Sequence, residues 1–168
     1  MPGTEVLCPS LGPRELRGRD GGPESLSMSL DSLYQEIILD HYRKPRNFGD
    51  LPEASISMEH ENPVCGDHLA LHVQLRDGAV EDIKFQGKGC AISMSSASMM
   101  TESVKGRSVE ETRSTIESFL SMLRGESPDE QVLGDLVALQ GVSQFPVRVK
   151  CAALAWTALR QCLRQTEG

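Results

Sequence analysis

From residue 31 onward the spacing of apolar residues changes from helical to alternating and back to helical, and these changes of period mark out the elements. Asp31 or Ser32 is placed to cap a helix running to about Lys44, with Leu33, Ile37, Ile38 and Tyr42 on one stripe. Pro45 and Asn47-Phe48-Gly49-Asp50 end it. Residues 54–59 and 69–75 then alternate with period two. Asp77-Gly78 is a hairpin turn signal, and Val80, Ile83 and Phe85 carry the next arm with a slip in alternation that fits a bulge. Three antiparallel strands are predicted. A helix from Ala91 to Val104 follows, broken at Gly106, and Ser108-Val109-Glu110-Glu111 has the form of a capping box opening a helix to about Leu123. Gly125 closes that helix, and Ser127-Pro128-Asp129-Glu130 opens a short one. Pro146 suits the first turn of a last helix to about Gln165, on which Val147, Cys151, Leu154, Ala155, Ala158 and Cys162 recur at helical spacing. The predicted class is α+β, a three-stranded antiparallel sheet packed against a layer of helices.

Residues 1–29 fall outside this pattern. Gly3, Gly12, Pro13, Gly18, Gly21, Gly22 and Pro23 stand among polar residues with almost no apolar periodicity, a composition that buries too little surface to offset ordering entropy. A disordered tail over 1–29 and a single domain over 30–168 are expected. Met28, just before the first periodic segment, is a candidate translation start.

The 168 residues are enough for one real core without disulfides. A net charge of −7 and 4% aromatic residues argue against a nucleic-acid surface, which needs clustered cations or a stacking platform. No apolar run reaches the roughly 20 residues of a membrane span. The N-terminus also lacks the basic-then-apolar order of a secretory signal. A reducing cytoplasm is therefore the expected compartment, where five cysteines read as buried thiols, metal ligands or nucleophiles rather than disulfides.

Three of those cysteines have flanks unlike a core. Cys65 lies in Asn62-Pro63-Val64-Cys65-Gly66-Asp67, Cys90 follows Gly87-Lys88-Gly89, and Cys151 follows Arg148-Val149-Lys150. Gly66 allows the tight fold that points Asp67 back toward the same centre. Helix N-termini beside Cys90 and Cys151, with Lys88, Arg148 and Lys150 nearby, are expected to make the thiols acidic. Three thiolates and one carboxylate complete a tetrahedral shell for zinc. A metal or reactive site shared by Cys65, Asp67, Cys90 and Cys151 at one end of the sheet is expected, although paired Cys-x-x-Cys spacing is absent. Cys162 continues an apolar stripe and reads as core, and Cys8 as an exposed tail residue. His41, His60, His68 and His72 read as structural or solvated, and Met94, Met99 and Met100 as core.

With these residues in view, the chain over about 30–166 resembles the U-type iron–sulfur assembly proteins, and among them the SufU branch. The pieces that carry the resemblance run from Leu33 to Tyr42 and include Pro45-Arg46-Asn47, the Cys65 motif, Gly87-Lys88-Gly89-Cys90-Ala91-Ile92-Ser93 and Arg148-Val149-Lys150-Cys151-Ala152. IscU-type scaffolds carry a histidine just before the third cysteine, where this chain has Lys150. The long step from Cys90 to Cys151 also favours the SufU branch. The resemblance implies zinc held by Cys65, Asp67, Cys90 and Cys151, and a role as sulfur acceptor for a SufS-type, pyridoxal-phosphate-dependent cysteine desulfurase. By family analogy Cys65 carries the sulfur as a persulfide and delivers it to the downstream iron–sulfur assembly machinery. Arg148 would orient the partner or stabilise a developing thiolate; its rival role is a surface salt bridge. Two alternatives stay open: a scaffold on which a transient [2Fe–2S] cluster is assembled, and a non-catalytic interaction domain with structural zinc.

Overall fold

The computed structural model describes residues 23–166; Cys8 and most of the expected tail lie outside them. By packing, the chain divides into Met1–Gln35 and Glu36–Gly168. Helix α1 spans Pro23–Arg43. It starts earlier than the expected cap at Asp31 or Ser32 and runs through Met28, because Pro23 is preorganised for a first turn and the intervening residues contain no breaker. The sheet comprises β1 (Ile56–Asn62), β2 (Asp67–Arg76) and β3 (Ala79–Lys88), all antiparallel in the order β1-β2-β3. Then come α2 (Ala91–Val104), α3 (Val109–Leu123), the short α4 (Glu130–Leu133), a 3-10 segment over Gly134–Gln144 that the sequence reading does not contain, and α5 (Pro146–Gln165).

Local signals account for most boundaries. Asp77 and Gly78 both take positive φ, 54° and 75°, as a tight turn with matching twist demands. The register shifts where Gln74 pairs with Asp82 but Leu75 with Val80, leaving Glu81 as the extra residue of a bulge. The capping box at α3 is formed, with Glu111 N–H donating to Ser108 Oγ at 3.0 Å and Ser108 N–H donating to Glu111 Oε1 at 3.2 Å.

One sheet face, carrying Leu69, Leu71, Val73, Ile83 and Phe85, is buried. Helix α5 packs against β1, β2, α2, α3 and the 3-10 segment, and α2 packs against β3. Trp156 stacks on Phe119 with ring centroids 4.3 Å apart. Its indole N–H donates to Ser96 Oγ at 3.0 Å, and Ser96 Oγ–H donates to the Ala152 carbonyl at 2.7 Å, which leaves no polar group orphaned between α2 and α5. The Met cluster is core, as expected.

The stretch after α1 is tied down along α2. Ser98 Oγ accepts the Arg46 N–H at 2.8 Å and shares a hydrogen bond with His41 Nδ1 at 2.7 Å, while Asn47 Nδ2–H donates to Thr101 Oγ1 at 3.1 Å. His41 is thus a buried structural residue.

Cys162 is buried on α5, and burial pushes its thiol up from the ordinary 9.0 to about 11. A raised folded-state pKa favours the neutral thiol, so its contribution to stability is whole below pH 9.0 and is lost as pH rises through about 11. Urea titrations across that range are expected to show falling stability, and Cys162→Ala to flatten the fall. An unaltered slope in that variant would remove this thiol as the cause.

Among the described residues, no helix is long and apolar enough to cross a membrane.

Candidate functional site

The site lies where the β1–β2 hairpin tip, the start of α2 and the second turn of α5 meet. The hairpin closes on itself, with Cys65 N–H donating to the Asn62 carbonyl at 3.2 Å and Gly66 at φ 71°. A side chain with a Cβ would be strained at that φ, so glycine is what lets the chain re-enter β2 directly at Asp67. Asn62 and Asp67 are register partners at the base of the turn, which leaves Cys65 half-buried at its tip beside the exposed Val64.

Asp67 is 2% exposed. Its Oδ1 accepts the Cys90 backbone N–H at 3.0 Å, an orphan donor at the start of α2, where Cys90 is the N-cap. The other oxygen, Oδ2, is buried without a hydrogen-bond partner. A buried carboxylate oxygen left bare is costly unless a cation or proton meets it. Gly89 has a local reason of its own: a Cβ there would meet Ser93 Oγ and stand 2.5 Å from Asp67 Oδ1.

Cys151 is fully buried on α5, with its Sγ 2.9 Å from Cys65 Sγ. The candidate ligand atoms of Cys65, Asp67 and Cys151 all lie within 4.8 Å of one another, a group able to hold a metal ion. Cys90, also named from the sequence, stands outside that set. Its Sγ faces Ser93 Oγ at 3.9 Å, and it borders the group at Cys151.

The expectation of three acidic thiols needs correction at Cys151. Burial pushes that thiol up, and the neighbouring polar groups of Cys65, Asp67 and Cys90 push the same way. Cys151 sits in the second turn of α5, beyond the first turn where the helix dipole acts strongly. The Val147 carbonyl lies 3.8 Å from its Sγ. Without a bound cation, burial outweighs the basic flanks.

Arg148 is one of those flanks. Cys90 first and then Cys151 hold its pKa above the ordinary guanidinium range, so the guanidinium borders both sulfurs. The salt bridges of the described residues include no carboxylate partner for it, which disfavours the surface salt-bridge role.

Sequence reasoning missed the part Asn62 plays, although it lies in the same short motif as Cys65 and Asp67. Its side-chain Nδ2–H donates to Cys151 Sγ at 3.8 Å. The signal was a polar residue directly before a proline at a strand end, where a side chain turns inward as the strand stops.

Residues 33–160 match the family model described as the NifU-like N terminal domain. The zinc-dependent sulfurtransferase SufU of Bacillus subtilis is 48% identical over 145 residues, 86% of this chain and 98% of that protein. The iron–sulfur cluster assembly scaffold protein IscU of Thermotoga maritima is 40% identical over 138 residues, 82% of this chain and 97% of its own length. The solved structure of a nitrogen-fixing NifU-like protein (N-terminal) from Brucella abortus superposes with a TM-score of 0.75 at 26% identity, over 82% of this chain and 96% of that one.

Proposed function

This chain belongs to the NifU-like N-terminal domain family, and on that premise we propose that it is a zinc-dependent sulfurtransferase that accepts persulfide sulfur from a SufS-type cysteine desulfurase for iron–sulfur cluster biogenesis. The observation that carries the reading is the buried Asp67 carboxylate, one oxygen of it without a hydrogen-bond partner, grouped with the thiols of Cys65 and Cys151. The donor set suits zinc, which takes thiolates readily and accepts one oxygen ligand. Cys65, Asp67 and Cys151 would hold it, with Cys90 as the fourth ligand after a small turn of its side chain. Bound there, zinc would keep the thiolates ionised at neutral pH and shield them from oxidation.

Cys65 is the acceptor in this reading because the hairpin tip leaves it accessible while Cys151 is enclosed. Its thiolate attacks the outer sulfur of the desulfurase persulfide. One S–S bond forms at Cys65 as the S–S bond on the partner breaks, and the partner cysteine leaves as a thiolate that takes a proton from solvent. The products are a Cys65 persulfide and a regenerated desulfurase. Arg148 borders the sulfurs and lowers the cost of negative charge there during exchange. Exposed Val64, Phe145 and Val147 give the surface around the hairpin and the start of α5 an apolar rim suited to a protein partner rather than a small substrate.

A second reading, a scaffold on which a [2Fe–2S] cluster is assembled, is supported by the IscU relatives. Lys150 weighs against it, since the scaffolds are expected to carry a histidine at that place. Metal analysis of natively purified protein, joined to a persulfide assay with a cysteine desulfurase and cysteine, separates the two. About one equivalent of zinc with faster sulfur turnover is the expected result. Bound iron and sulfide would establish the scaffold instead.

A further inference from the structure

The hairpin and α5 are joined at the site by a contact that lies outside the ligand group. Asn62, the last residue of β1, is 6% exposed, and its side-chain amide points at Cys151 Sγ. We infer that Asn62 is a positioning residue that fixes Cys151 as the retained sulfur of the site and so leaves Cys65 as the one free to depart. The inference rests on the reading of the site as a metal-thiolate centre.

As a thiol Cys151 has two acceptors for its one proton, Cys65 Sγ at 2.9 Å and the Val147 carbonyl at 3.8 Å. Metal binding requires the thiolate, which has lost that donor and can only accept. The Asn62 N–H is the contact that survives the change, and it strengthens because its acceptor is now charged. An amide turned the other way would set a carbonyl oxygen against an anion, so the donor orientation is the one the charge selects.

Cys65 is treated differently. Among the described residues the hydrogen-bond contact of its sulfur is with Cys151 Sγ, and no side-chain amide reaches it. With a cation bound, one sulfur would be held by a buried amide as well as the metal and the other by the metal alone. Departure of Cys65 then leaves Cys151 in place.

The side chain and backbone of Asn62 act separately here. Its carbonyl closes the hairpin on Cys65 N–H, so Asn62→Ala keeps the turn and deletes the amide. In chelator competition this variant is expected to bind zinc about 10–100-fold more weakly, the usual effect of losing an outer hydrogen-bond partner of a ligand. With cobalt(II) in place of zinc, the sulfur-to-metal charge-transfer band is expected to shift to lower energy, because the thiolate loses a donor. A purely structural role would leave that band where it is. Affinity within twofold of the unmodified protein, together with an unshifted band, would overturn the inference. Should Asn62→Ala fail to fold, the unmodified chain loaded with cadmium-113 decides the matter. A coupling between the metal nucleus and the Asn62 side-chain amide proton supports the inference, and its absence overturns it. A native chain that takes up neither zinc nor cobalt would bring down the metal-thiolate reading itself, and this inference with it.

Discussion

Cys65→Ala is expected to abolish the acceleration of a cysteine desulfurase, bringing alanine formation from cysteine back to the rate of the desulfurase alone. The loss follows from access to the sulfur. Cys65 is the half-buried thiol at the hairpin tip, whereas Cys151 is enclosed. A sulfur enclosed in the fold cannot reach a persulfide on another protein. Alanine also removes one metal ligand, so the measurement needs two readings. Retained zinc with no acceleration assigns the defect to sulfur acceptance; full acceleration by the variant would show that the sulfur goes elsewhere, with the half-buried Cys90 next in line.

Asp67→Ala is expected to weaken zinc binding by more than the ~10–100-fold typical of losing a partner outside the ligand shell. The carboxylate does two things at once. Oδ1 takes the Cys90 N–H and pins the start of α2 to β2, and Oδ2 is left without a hydrogen-bond partner. Removing it deletes a ligand and leaves the Cys90 N–H without its acceptor. The site that remains is richer in sulfur and more open, which shifts its preference toward iron–sulfur chemistry. Gly89→Ala reaches the same carboxylate from outside, since its new Cβ would stand 2.5 Å from Oδ1 and displace it. About 10–100-fold weaker zinc binding is expected there. Competition with a chelator checks both variants, and unchanged affinity in Asp67→Ala would remove Asp67 from the ligand set.

Much of this molecule can be read from local sequence. The Asp77-Gly78 turn, the Ser108–Glu111 capping box and Pro146 in the first turn of α5 each carry their own geometry, and the structure places them accordingly. The site could be anticipated for the same reason, since glycine and proline beside a cysteine mark a backbone bent around a purpose. Three things could not be read. The start of α1 was hidden because serine, glutamate and methionine after Pro23 have no apolar stripe to announce a helix. The 3-10 segment over Gly134–Gln144 depends on packing against α5 and α3 rather than on periodicity. The ionisation of Cys151 was misjudged because basic neighbours in sequence are visible, while burial and the crowding of Cys65, Asp67 and Cys90 arise only when distant segments meet.

That meeting of distant segments has a thermodynamic side. Cys65 and Asp67 come from a hairpin, Cys90 from a helix cap and Cys151 from the last helix, so no fragment of the chain holds a complete set of donors. A cation bound there acts as a clamp present only in the native state, and mass action then ties folding to its free concentration. An excess of 100 times the dissociation constant adds about 2.7 kcal/mol to stability. Release of such a clamp would loosen the grip between hairpin and last helix, and resistance to unfolding would report how much of the protein is loaded.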